Sequence, residues 1–263
     1  MDVTDIIKKE VYNTQVLILA GGKGKRMGLS DIPKPLIKVA GETLLERCIK
    51  FHKLNGFHKF LLLVGHKHEM IQECLGDGSR LDVEVDYSID PQNVGKVGKG
   101  KAIKHALLQG KIDRKKRVLI SYPDDIFLDP TLPTKLLLHH VQAVEDKGIK
   151  ATVVFTTAVE YPYGVGEVDE NGLVRKFEEK PVIRFLTSCG MYMLEPDVFD
   201  LIEERVDMET EEAIEFESII LPELASRKQL YAFTIPKGVW IPVNTQKEWE
   251  LAERLLSKKK LPY

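Results

Sequence analysis

A Rossmann-like α/β fold is predicted: a mostly parallel twisted sheet, helices on both faces, and a small mixed β insertion. Three observations predict it. Short apolar runs alternate with amphipathic segments over about the first 160 residues. The first run ends in glycines, as a buried parallel strand should. After that the rhythm changes to closely spaced short strands around an Asn-Gly pair, a strong hairpin signal.

Taken in order, Gln15–Ala20 (QVLILA) reads as the first strand. Thr43 and Glu46 have capping-box spacing ahead of Leu44, Leu45, Cys48, Ile49 and Phe51, which predicts an amphipathic helix. Lys59–Val64 is the second strand, His68–Leu75 a helix, and Leu81–Tyr87 a third strand. Lys101–Gln109 follows as a helix, Arg117–Tyr122 as a fourth strand, Leu136–Lys147 as a helix, and Ala151–Ala158 as a further strand. Beyond them, Gly166–Asp169 and Leu173–Glu178 flank Glu170-Asn171-Gly172. Met191–Leu194, Leu230–Ile235 and Val239–Val243 are short strands, with a helix around Glu212–Arg227 between them. Thr245 and Glu248 repeat the capping-box spacing and open a last helix reaching about Ser257. One domain over 1–263 is expected, with a first half at about 15–160, a second half at about 161–245, and a helix at 246–257. Right-handed crossovers place ligands beyond the carboxyl ends of the strands, so residues after Ala20, Tyr87 and Tyr122 are the ones to inspect.

Composition narrows the function classes. Hydrophobic residues make up 43% and charged residues 30%, ordinary for a globular protein. A net charge of −2 gives no basis for bulk affinity to nucleic acid or membranes, so anions must be held by locally placed Lys and Arg. Cys48, Cys74 and Cys189 fit neither a metal pattern nor a disulfide framework, and no apolar run approaches a membrane span. A cytoplasmic location is expected.

After the first strand comes Gly21-Gly22-Lys23-Gly24-Lys25-Arg26. Glycines let backbone amides approach phosphate oxygens, and the cations can neutralise the charge. A loop of this kind alone is equally well a solvated turn. It is no Walker loop, because no Ser or Thr follows Gly-Lys, and no dinucleotide loop, because Pro33-Lys34-Pro35 bars an immediate long helix. An NAD-dependent dehydrogenase is therefore disfavoured. Asp124 and Asp125 end the fourth strand, where carboxylates suit Mg²⁺ or simply cap a turn.

The pair LILAGGKGKRMG and IPKPLIKVAGETLLE resembles the signature of the sugar-1-phosphate nucleotidylyltransferases, with Lys25 where Thr or Ser is usual. The resemblance spans about Gln15 to Leu256. It implies a glycosyltransferase-A-like nucleotidyltransferase fold and transfer of a nucleotidyl group from an NTP to a sugar 1-phosphate, with Mg²⁺. It places Ala20, Gly21, Gly22, Gly24 and Lys25 around the nucleotide, with the first two glycines against the base. Arg26 would hold the triphosphate, Lys34 the reacting phosphates, and Asp124 the metal. Gly164 and Phe177-Glu178-Glu179-Lys180-Pro181 look like the sugar-phosphate pocket, assigning Glu179 to the sugar and Lys180 to its phosphate. The same residues could also be a hairpin ending in a solvated charge cluster. Ser188 stands where an Asn commonly meets a sugar hydroxyl.

Two segments depart from the family pattern. Gly95-Lys96-Val97-Gly98-Lys99-Gly100-Lys101 replaces the usual base-reading glycine turn, with Gly98 and Lys99 as its nucleotide contacts; its lysines imply added positive charge. In Trp240-Ile241-Pro242-Val243-Asn244-Thr245, Pro242 takes the place of the second metal-binding aspartate, leaving Asn244 as a substitute oxygen ligand. Glucose 1-phosphate with UTP or dTTP is the first expectation, and mannose 1-phosphate with GTP the next. A cytidylyltransferase acting on a polyol or amino-alcohol phosphate, and a non-catalytic nucleotide-sugar-binding homologue, are the alternatives. A single catalytic domain without an appended β-helix is expected, compatible with a homodimer.

Overall fold

The computed structural model describes residues 2–22, 31–91, 95–258 and 261–263. Seven strands form the central sheet: β1 (Thr14–Leu19), β2 (Lys59–Val64), β3 (Glu84–Ile89), β4 (Arg117–Ser121), β5 (Ala151–Thr156), β6 (Thr187–Leu194) and β7 (Leu230–Ile235). Their spatial order is β7-β5-β6-β4-β1-β2-β3. Only β6 runs antiparallel to its neighbours, between β4 and β5. The predicted class is therefore present, and the sheet draws strands from both halves of the chain.

Side-chain alternation along the strands sorts the helices. Val16, Ile18, Phe60, Leu62 and Leu119 point to one face, where they meet Ile49 of the Leu44–Leu54 helix, Ile71 of the His68–Leu75 helix and Leu136 of the Leu132–Lys147 helix. Leu17, Leu19, Leu61, Leu63 and Ile120 point to the other, against the Gly98–Leu108, Val198–Arg205 and Phe216–Ser226 helices. A third apolar cluster lies at the carboxyl end. Ile37, Val39, Ile126, Ile241 and Val243 pack under Ala252 and Leu256 of the last helix, Gln246–Lys258. That cluster holds the segments after Pro35, Asp125 and Trp240 against one another.

Several boundaries moved for identifiable reasons. The third strand starts at Glu84, because Gly78 (φ 88°), a 3₁₀ turn over Ser79–Leu81 and a left-handed Asp82 occupy the preceding residues. The helix expected from Lys101 begins three residues earlier, at Gly98. A helix over Val3–Tyr12 was not anticipated; it buries Glu10 against Arg117 of β4. The Asn-Gly hairpin forms between Val165–Val168 and Val174–Glu178, outside the main sheet.

Candidate active site

β1 is buried along nearly its whole length and delivers Ala20, Gly21 and Gly22 to the carboxyl edge of the sheet. There they line a cavity of about 400 Å³ together with Lys34, Asp90, Gly98, Lys99, Tyr122, Asp124 and Glu215. Pro35 is buried in a 3₁₀ turn over Lys34–Leu36, which fixes the base of the Lys34 side chain. Asp124 arrives from the end of β4, and its carbonyl accepts the Val243 amide at 2.8 Å. Asn244 follows, with its own amide donated to Glu248 at 2.9 Å.

These three elements meet. The Lys34 ammonium pairs with Asp124 Oδ2 and donates to Asn244 Oδ1 at 2.9 Å. A cation already stands between the carboxylate and the amide oxygen. Asp125 does something different. It takes the Trp240 indole N–H at 2.7 Å, and a Cβ on Gly190 would lie 2.2 Å from its Oδ2. Gly190 has φ of 74°, so glycine there serves both the backbone and the carboxyl it admits. Enclosure and the neighbouring Asp124 charge push the Asp125 pKa well above the carboxylate range.

The expectation of surplus positive charge near Lys99 fails. Lys99 pairs with Glu217 at 2.7 Å and Glu215 at 3.2 Å, and Lys96 pairs with Glu212 at 3.2 Å. Lys101 is fully buried and donates to the Thr210 carbonyl. The acidic segment 207–217 lies across the glycine turn, with the Lys96 amide on the Glu211 carbonyl at 3.0 Å and the Gly100 amide on the Ile214 carbonyl at 2.7 Å. A Cβ on Gly98 would come within 2.5 Å of the Ile214 carbonyl. Desolvation lowers the Lys99 pKa, but Glu217 and Glu215 outweigh it and hold Lys99 above its ordinary value. Tyr122 donates its hydroxyl to Glu217 at 2.8 Å.

The sugar-phosphate candidates stand apart. A Cβ on Gly164 would meet the Phe177 ring at 2.5 Å and Glu179 Oε2 at 2.9 Å. Glu179 and Lys180 form an exposed pair at 3.8 Å, and Ser188 shares a 3.1 Å hydrogen bond with Tyr192. None of Gly164, Glu179, Lys180 and Ser188 lines the described cavity. Gly24, Lys25 and Arg26 lie outside the described residues.

Sequence reasoning missed Asp90, Tyr122, Glu215 and Glu217. Asp90 had a usable signal, since it follows the third strand at the carboxyl edge. A Cβ on Gly65 would fall 2.2 Å from its Oδ2, so that glycine makes room for it, and burial raises its pKa to about 6. The two glutamates had no local signal, because Glu217 reaches Lys99 across 118 residues.

The nucleotidyl transferase family model matches residues 15–256, which takes in β1, the Lys34 turn, Asp124 and Asn244. The chain belongs to the nucleotidyl transferase family. A UTP–glucose-1-phosphate uridylyltransferase of Synechocystis is 30% identical over 72% of the chain, which spans half of that relative's length. A glucose-1-phosphate cytidylyltransferase of Salmonella typhi is 28% identical over 95% of the chain and 98% of the relative. A solved Bacillus anthracis structure, described as a glucose-1-phosphate thymidylyltransferase, shares the fold at a TM-score of 0.70 and 21% identity, covering 95% of this chain and 98% of that one. Among the described residues no helix is long and apolar enough to cross a membrane, and the three cysteines are free.

Proposed function

We propose that the chain transfers a nucleotidyl group from an NTP to a hexose 1-phosphate and releases pyrophosphate. The observation that carries this reading is the convergence of Lys34, Asp124 and Asn244 beside Gly21 and Gly22. A phosphate oxygen of the sugar phosphate attacks the α-phosphorus and pyrophosphate leaves from the opposite side. The attacking oxygen is already anionic, so the protein's task is positioning and charge balance. Lys34 would leave Asp124 for the phosphates, Arg26 would hold the departing pyrophosphate, and Glu179 and Lys180 would present the sugar phosphate. Gly164 and Ser188 complete that pocket in this reading.

A divalent ion fits the donor set. Asp124 Oδ2 and Asn244 Oδ1 already converge on a cation, the Lys34 ammonium. Among the described residues no three His, Cys, Asp or Glu gather, so Mg²⁺ would be held by Asp124, with Asn244 and substrate phosphates completing its shell. When bound it neutralises developing phosphate charge.

A pyrophosphate-release assay over four NTPs and a set of hexose 1-phosphates tests the reading. Turnover of one pair supports it. Tight nucleotide-sugar binding with no pair turned over would replace it with a non-catalytic binding role.

For the base, UTP or dTTP is the starting expectation, but Asp90 favours a second reading. A carboxylate in the cavity accepts from an exocyclic amine, as on cytosine or guanine, and opposes the carbonyl oxygens of uracil and thymine. On this reading CTP or GTP outcompetes UTP, and Asp90→Asn narrows the difference. A UTP preference in the unmodified chain would remove it.

A further inference from the structure

A second cavity, of about 510 Å³, opens at the amino ends of β1 and β2, where Thr14, Gln15 and Lys59 line it. The six-residue length of β1, about 20 Å, separates it from the cavity at Gly21 and Gly22. One wall is the Val3–Tyr12 helix, which precedes the residues matched by the family model. Ile7, Lys8, Val11 and Tyr12 face the space together, because residues about four apart share a helix face. The helix is anchored on its other side. Glu10 is buried there against Arg117 of β4, and the Arg117 amide donates to the Asn13 carbonyl at 3.1 Å.

The facing wall is held as firmly. Asn55 donates to the Phe51 carbonyl at 2.9 Å and the Pro130 carbonyl at 2.8 Å, and it accepts from Thr134 Oγ1 at 2.7 Å. Gly56 follows with φ of 87°, and a Cβ there would stand 3.8 Å from a Val11 methyl, so the two walls meet at that point. Phe57 is buried beside it. Gln15 ties in the third side, donating to the Lys111 carbonyl and accepting the Asp113 amide, both at 3.0 Å. The Asp113 carboxylate is taken by the Lys115 amide at 2.9 Å. A space of this volume between fixed, mainly apolar walls is the usual form of a small-molecule site.

The rim supplies the charge. Lys116 Nζ lies 4.2 Å from the centre of the Tyr12 ring, and neither Lys116 nor Lys8 has a carboxylate partner among the described residues. Lys59 is already paired with Glu84 at 2.8 Å, so the two unpaired ammoniums set the preference. Tyr12 is 74% exposed although its ring stands at the mouth, which leaves aromatic surface for a ligand to cover. We propose that this cavity binds a small organic acid, an apolar body bearing one carboxylate, at a site separate from nucleotidyl transfer. Ile7, Val11 and Tyr12 would cover the apolar body, while Lys8 and Lys116 would take the carboxylate. A nucleoside triphosphate suits it badly, because its charge exceeds what two lysines balance.

Amide NMR of the full chain, titrated with phenylacetate and in parallel with uncharged phenylacetamide, tests this. Saturable phenylacetate shifts are expected at the amides of Tyr12, Gly56, His58 and Lys116, with those of Gly21, Gly22 and Asp90 left in place. Phenylacetamide should bind roughly tenfold more weakly, the size of two exposed ion pairs. Lys8→Glu with Lys116→Glu should weaken phenylacetate by at least a similar factor. The comparison of acid with amide needs no variant, so it stands even if the double variant folds poorly. Shifts confined to the Gly21 cavity, no saturation of the Tyr12 and Gly56 amides at millimolar phenylacetate, equal affinity for acid and amide, or a double variant that binds as well as the wild type would each overturn the proposal.

Discussion

The carboxyl end of the sheet, where the proposed function puts the nucleotide, and the ribbon lobe hold their charged side chains in opposite ways. At the nucleotide end every described cation is held by the protein itself: Lys34 by Asp124 and Asn244, Lys99 by Glu215 and Glu217. Just past the ribbon, Glu179 and Lys180 lie in the open, 3.8 Å apart, in a bend after a strand that buries little apolar surface. The difference teaches where rigidity comes from. Lys34 and Asp124 are positioned by the cluster of Ile37, Ile126, Ile241 and Val243 beneath the last helix, whereas Glu179 and Lys180 lie exposed at the ribbon's far end. Preorganisation of the kind seen at the first end lowers the cost of binding a ligand there.

The sharpest break of this comparison is at Asp124. Asp124→Asn removes the carboxylate that pairs with Lys34, and turnover should fall by roughly two to three orders of magnitude, the cost of losing a charge partner in the transition state. The apparent Mg²⁺ requirement should rise with it, while an unaltered Mg²⁺ titration would move the metal elsewhere. Arg26→Ala should lose a similar factor through the leaving pyrophosphate.

Gly190→Ala comes next. A Cβ at φ 74° and 2.2 Å from the Asp125 carboxyl carries both backbone strain and a clash. A cost of about 2–3 kcal/mol corresponds to a melting-temperature drop of roughly 5–10 °C for a domain of this size. A drop under about 1 °C would show that Asp125 moves aside freely.

Glu179→Ala probes the exposed end. Loss of a hydrogen bond to a charged group is worth about 1.5–3 kcal/mol, so KM for the sugar phosphate should rise roughly 10- to 100-fold. KM for the NTP should stay in place. An equal rise in both would mean that the two ends are not separate.

The smallest effect is on acid stability. His52 is fully buried among Phe51, Phe57 and Phe60, with neither ring nitrogen partnered among the described residues. Burial lowers its folded pKa to about 3 from 6.5. The unfolded chain then binds a proton that the folded chain refuses, so stability falls as pH drops below about 6.5 and goes on falling toward 3. His52→Leu should flatten the melting temperature between pH 7 and pH 5, read by calorimetry. An unchanged slope would show that other groups dominate that window.

Much of the fold was legible because its central strands are buried on both faces, as Lys59–Val64 is. That strand and the edge strand Leu230–Ile235 matched to the residue, and Thr43 and Glu46 make both bonds of the predicted capping box. The third strand slipped by three residues because local turn chemistry at Gly78 and Asp82 outweighs alternation. In the site, Lys34, Asp124 and Asn244 were legible as separate motifs, and the fold brings them together. The acidic counterpart of Lys99 was not legible, since the pairing lies 118 residues away and follows no local period.

The central claim is that the Lys34–Asp124–Asn244 cluster serves nucleotidyl transfer. Phosphorus NMR of the chain with Mg²⁺, the four NTPs and glucose 1-phosphate tests it most directly. A falling triphosphate signal, matched by pyrophosphate and a sugar-linked diphosphate, is the predicted result. Triphosphates left intact, or hydrolysed to monophosphate and pyrophosphate without joining the sugar, would contradict it.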